Sequence, residues 1–153
     1  MTLRTQITDA MKDAMRAKEE ATLGAVRLIM AELKKRDIDA RPKGVTDGIP
    51  DEEILSMLQG MIKQRRESIA LYEKGNRADL VKQESSEIAV IERFLPQQMG
   101  EAEVKAAIAK IVATVGATSV KDMGKVMAEM KKVYAGQMDF AQASNLVKTA
   151  LSA

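Results

Sequence analysis

Lys121, Lys125 and Lys132 stand four and seven residues apart in the stretch SVKDMGKVMAEMKK, Ser119 to Lys132. At about 100° of rotation per residue they fall nearly in line on one side of a helix. Ammonium groups in a row, with Lys131 close by, could engage a phosphate backbone, since lysine acts there as a point charge. Gly124 lies beside them. A glycine inside a helix costs about 1 kcal/mol relative to alanine, so a benefit from close backbone approach is expected. That benefit could go to a neighbouring helix or to the sugar-phosphate backbone of a ligand. The lysine row could equally be a plain solvated face. The other arc of the same stretch holds Met123, Val126, Met127, Met130, Val133 and Tyr134, which read as core or as an adaptable methionine surface for a protein partner. A nucleotide-binding loop is not supported, because Ser119 stands where the first glycine of that motif belongs and Val126 follows Lys125 where a hydroxyl is needed.

Much other chemistry is excluded by residue type. The 153 residues include no histidine and no cysteine, which removes disulfides, thiolate metal sites, His-ligated metals, cysteine nucleophiles and histidine bases. Lys82, Ser85 and Ser86 are neighbours on a helical face, but polar faces bring serine and lysine together routinely. Asp51, Glu52 and Glu53 follow Pro50 and are explained by the positive end of a helix dipole without invoking a metal. No catalytic residue, metal or cofactor is therefore assigned, and the chain is not expected to be catalytic alone. The net charge of +2 is compatible with an anionic partner without announcing one. Two further basic clusters, Lys34-Lys35-Arg36 with Arg41 and Lys43, and Lys63-Arg65-Arg66, could add phosphate contacts if they shared a face. Tyr72, Phe94, Tyr134 and Phe140 are too scattered to form a stacking platform, so an RNA partner would be recognised by shape.

The elements that must carry these residues are helices. Aromatics are only 3% of the chain, which leaves Leu, Ile, Val, Ala and Met to fill the core, and no alternating strand pattern is convincing. The expected fold is all-α, with two small bundles of about four and then three helices joined at Leu95-Pro96. The domains would be 1–95 and 96–153. Stripes at Leu3, Ile7, Met11 and Ala14 and at Leu23, Val26, Ile29, Met30 and Leu33 fit two helices or one broken near Lys18. Arg41 to Gly48 concentrates turn formers. Pro50 is expected at the first position of a third helix ending at Gly75, and Asn76 is expected to cap the fourth, which Pro96 stops. Beyond it, helices are expected from Glu101 to Val115, from a Ser119/Asp122 capping pair to about Tyr134, and from Asp139 to Leu151. The start, Met1-Thr2-Leu3-Arg4, lacks an apolar signal run, and no stretch of about 18 apolar residues could span a bilayer, so the cytosol is the expected compartment.

Three segments carry a resemblance. FLPQQM (Phe94 to Met99), GATSVKDMGKVMAEM (Gly116 to Met130) and the closing NLVKTAL together resemble the GatB/YqeY family, and the likeness runs through essentially the whole chain. It implies a free-standing YqeY-like protein, similar to the tail of the B subunit of the glutamine-dependent Glu-tRNA(Gln)/Asp-tRNA(Asn) amidotransferase. That tail contacts tRNA, and a related module is appended to some glutaminyl-tRNA synthetases. The partners so implied are tRNA and protein components of tRNA aminoacylation or amidation. The RNA-binding candidates inside the matching run are Lys121, Gly124, Lys125, Lys131 and Lys132. Two departures matter: Phe140 replaces the second glycine of a turn frequent in the family, and the cradle domain and amidase subunit of the amidotransferase are absent. The family's carbon-nitrogen ligase label, with glutamine as amido-N-donor, would then describe the company it keeps.

Overall fold

The structure, a computed structural model, describes residues 2–152. It is all-α, and among the described residues seven α-helices and no strands occur. Contacts divide the chain into two compact units, Met1–Leu95 and Pro96–Ala153.

In the first unit, α1 (Leu3–Ala17) starts at Thr2, whose hydroxyl accepts from the Thr5 N–H at 3.2 Å. It ends where Lys18 turns left-handed, with φ 56°, so the chain reverses into α2 (Glu20–Ala40). Of the two arrangements compatible with the apolar stripes, the break at Lys18 is the one found. A 3-10 turn at Arg41–Lys43 and a positive-φ Gly44 end α2. Next come α3 (Asp51–Lys74) and α4 (Ala78–Glu92).

Two expected roles at helix ends change. Pro50 is the N-cap of α3 rather than its first residue. Asn76 is left-handed at φ 56°, while Gly75 keeps φ −88°, so Asn76 makes the turn out of α3 and Arg77 occupies the N-cap of α4. Asparagine tolerates both settings, and sequence could not separate them. The core consists of Leu, Ile, Val, Ala and Met, including Ile7, Val26, Ile29, Ile54, Leu58 and Ile91. It forms chiefly where α3 packs on α4, α1 on α2, and α2 on α4.

Arg4 ties three segments of this unit together. Its Nη1 donates to Asp37 Oδ2 at 2.6 Å and its Nη2 donates to Asp37 Oδ1 at 3.0 Å and to the Ile49 carbonyl at 3.1 Å. Asp37 also accepts from the Ile49 N–H at 2.9 Å. The bidentate pair thereby holds the loop before α3 against α1 and α2. The hydrogen bond from Arg4 is the largest influence on Asp37 and holds its carboxyl below the usual carboxylate range, against the opposing pull of burial. A depressed pKa in the folded state means that this contribution is present above the unfolded carboxylate pKa and is lost as pH falls through the folded one. Urea midpoints should therefore separate the native chain from Asp37→Asn at neutral pH, and the gap should narrow below about pH 4. A gap that widens there would contradict the assignment.

The second unit holds α5 (Glu101–Val115), a 3-10 turn at Val120–Asp122, α6 (Met123–Val133) and α7 (Phe140–Ser152). Gly116, at φ 68°, is the left-handed cap of α5. Asp139 caps α7 by accepting from the Ala141 N–H at 2.9 Å, which explains how Phe140 comes to open a helix. The segment before α5 is fixed to the turn before α7: Met99 N–H donates to the Gln137 carbonyl at 2.8 Å, and Gln98 Nε2 to the Gly136 carbonyl at 2.6 Å. Val104, Ile108, Ile111, Val126, Met130, Met138, Val147 and Leu151 make a second core.

Candidate functional site

The start of α6 is built by Asp122. Its Oδ2 accepts from the backbone N–H of Thr118 at 2.9 Å and of Ser119 at 3.3 Å. These bonds, the one from Thr118 first, lower its pKa, and the charge of Lys125 adds to the effect. Asp122 stays ionised while its lone pairs are occupied in holding the turn that leads into the helix. The capping pair expected from sequence has this physical content.

The buried side of α6 then fixes its orientation. Val126 and Met130 are fully enclosed, and Met123, Met127 and Tyr134 pack partly buried against the same core. The methionine arc is thus mainly interior and leaves α6 no open methionine groove. Val133 departs from the expected arc, being 49% exposed at the last residue of the helix.

The opposite side is open. Lys121, Gly124, Lys125, Ala128, Lys131 and Lys132 are all exposed. Lys125 and Lys132, seven residues apart on α6, share one line along the helix, and Lys121 precedes them in the 3-10 turn. Lys131 is turned about 100° from Lys132 and stands on the flank. None of the four lysines makes an ion pair among the described residues. Glu129, half-buried, is the acid of α6 itself. A methyl group placed on Gly124 would meet no atom within 4 Å. No neighbouring helix uses the missing side chain, so the packing explanation for Gly124 finds no support within the protein.

The other basic clusters differ in kind. Arg65 is largely buried and donates its Nε to Glu87 at 2.8 Å, with Glu84 at 3.9 Å, and its Nη1 to the Met61 carbonyl. That guanidinium clamps α3 to α4 and is not free for a polyanion. Arg66 pairs with Glu92 at 3.6 Å. Arg36 pairs with Glu32 at 3.2 Å, whereas Lys34, Lys35, Arg41 and Lys43 remain exposed. A groove of about 360 Å³ lies between α5 and α7, with Glu101 and Asp139 at its rim, and those acids would repel a phosphate backbone. Among the described residues, no group of three or more histidine, cysteine, aspartate or glutamate side chains could hold a metal ion. No described helix is long and apolar enough to cross a membrane.

The chain is similar to "Altered inheritance of mitochondria protein 41, mitochondrial" of Lachancea thermotolerans, at 35% identity over 105 residues, or 67% of this chain and 54% of the relative. The protein of the same name from Kluyveromyces lactis is 31% identical over 134 residues, covering 85% of this chain and 65% of the relative. That from Eremothecium gossypii is 35% identical over 85 residues, covering 56% and 44%. The chain therefore matches only 44% to 65% of the length of these relatives. Their names overturn the expected cytosolic compartment. That expectation rested on the lack of an apolar signal run, and such a criterion is blind to mitochondrial addressing, which uses amphipathic, arginine-rich segments. The family described as Yqey-like protein matches residues 4–151, and the chain belongs to that family.

Proposed function

We propose that the chain is a non-catalytic tRNA-binding protein, associated with tRNA amidation or aminoacylation, whose contact face is the outer side of α6. The observation that carries this reading is the row of unpaired lysines beside a glycine with open space above it. Lys121, Lys125 and Lys132 would neutralise successive phosphates, Lys131 would reach from the flank, and Gly124 would let the ribose-phosphate chain approach the helix backbone. These contacts carry no base information, so the RNA is selected by its folded shape. The likeness of the Gly116 to Met130 run to the amidotransferase B-subunit tail points to the same class of ligand. On this reading the carbon-nitrogen ligase activity belongs to the enzyme that the protein accompanies. The compartment supported by the relatives' names is the mitochondrion.

Whole tRNA titrated at two salt concentrations tests the reading. Lys121→Glu, Lys125→Glu and Lys132→Glu combined should weaken binding by roughly tenfold or more at low salt and flatten the salt dependence by about one unit of slope per lysine. Gly124→Ala should weaken binding while raising the melting temperature, because its methyl enters open space and alanine is the better helix former. Binding that is absent, or unchanged by the charge reversal, removes the proposal.

A further inference from the structure

A second helix surface carries an independent message. Helix α2 buries Ala25, Val26, Ile29 and Leu33, against α1 and α4. On its far side Gly24, Leu28, Ala31, Lys35 and Ile38 follow in steps of four and three residues, the spacing of a helix-pairing seam. All five are exposed, with Leu28 at 45% and Ile38 at 46%. A methyl group on Gly24 would meet nothing within 4 Å. Together with Ala31, one heptad further on, it leaves the backbone open to a second helix. Arg27, Lys34 and Arg41 stand seven residues apart on one flank of this seam, at intervals of about 10.5 Å. They are exposed and form no ion pair among the described residues, although the charge of Arg41 is felt by Asp37. The acids of α2 leave the flank basic: Asp37 is bound to Arg4 and Glu32 to Arg36, and Glu20 and Asp39 stand in the first and last turns.

We propose that this face docks one amphipathic helix of a protein partner, bearing aliphatic residues on its seam and acidic residues on the flank opposite Arg27, Lys34 and Arg41. Charge and apolar pattern select that occupant together. A phosphate backbone would use the cations and leave Leu28 and Ile38 in water. A second copy of this chain would set the basic flank against itself if antiparallel, and Lys35 against its own equivalent within the seam if parallel. A bilayer surface is met by cations on both borders of an apolar face, whereas here the heptad-spaced cations line one border. The surface belongs to the first unit and does not depend on the RNA reading of α6.

The test uses the full chain and a synthetic helical peptide of the length of α2, with leucine at seam positions and glutamate on both flanks, together with a counterpart carrying lysine for glutamate. Amide chemical-shift mapping should place the acidic peptide on α2. Its affinity should fall by roughly tenfold or more on Arg27→Glu, Lys34→Glu and Arg41→Glu combined, and that variant should gain binding of the lysine peptide. Leu28→Glu with Ile38→Glu should abolish both. Every substituted side chain is exposed, so unchanged circular dichroism is expected and is checked first. An acidic peptide that does not bind, or whose binding survives these changes, overturns the proposal. So does sedimentation showing a dimer that Leu28→Glu with Ile38→Glu disrupts. Engagement of α2 by phosphatidylglycerol-containing vesicles or by polyuridylate, in place of the peptide, also overturns it.

Discussion

Met130→Ala is expected to cost about 2–5 kcal/mol, since methionine truncation at an enclosed site loses transfer energy and leaves a cavity. Met130 is 0% exposed near the C-terminal end of α6 and belongs to the cluster that includes Ile108, Met138 and Val147. A small helical unit has little stability in reserve, so this loss should approach what the second core can tolerate. Urea denaturation followed by circular dichroism measures it. A mild loss would mean that neighbouring side chains collapse into the space. Met130→Leu is the control: it conserves volume and should cost less than about 1.5 kcal/mol. The same variants separate the two sides of α6: under the proposed function, Met130→Leu should not alter the tRNA titration, while the lysine reversals should leave stability nearly unchanged.

Gly48→Val should destabilise the first unit by about 2–4 kcal/mol through two effects that add. Gly48 has φ +94°, a conformation that a β-branched residue adopts only with strain. Its new Cβ would also stand 2.5 Å from Arg4 Nη2 and 2.9 Å from Arg4 Cζ. The guanidinium tip can move aside, but only by giving up its bonds to Asp37 and to the Ile49 carbonyl. A double-mutant cycle of Gly48→Ala with Arg4→Ala separates the effects: the backbone cost persists without Arg4, and the steric part disappears. Strict additivity would show that Arg4 is not displaced.

The architecture was legible because local and tertiary preferences agree along most of the chain. The apolar spacing of Val104, Ile108 and Ile111, closed by Gly116, marks α5 to the residue. Ser119 with Asp122 gave the turn into α6, and the period of Val126 and Met130 gave its buried side. What escaped sequence reasoning depends on partners far away in the chain or on fine backbone choices. Arg65 reads as one cation among three until its carboxylates, about 20 residues further on, are folded against it. Val133 has the right phase for the core, yet α6 ends there, and a phase argument fails at the last residue of a helix. The open space above Gly124 was undecidable from spacing, because the cost of a helical glycine says that something approaches without saying what. The basic face of α2 was visible as a cluster, but its pairing seam emerges only once the other side of that helix is known to be occupied.

The near absence of aromatic residues has an optical consequence. The chain has no tryptophan and only two tyrosines. Tyr72, in α3, belongs to the first unit, and Tyr134, packed on the second core, belongs to the other. Replacing either phenol with phenylalanine leaves one tyrosine as the dominant ultraviolet emitter, so melting of each half can be followed by its emission without attaching a dye.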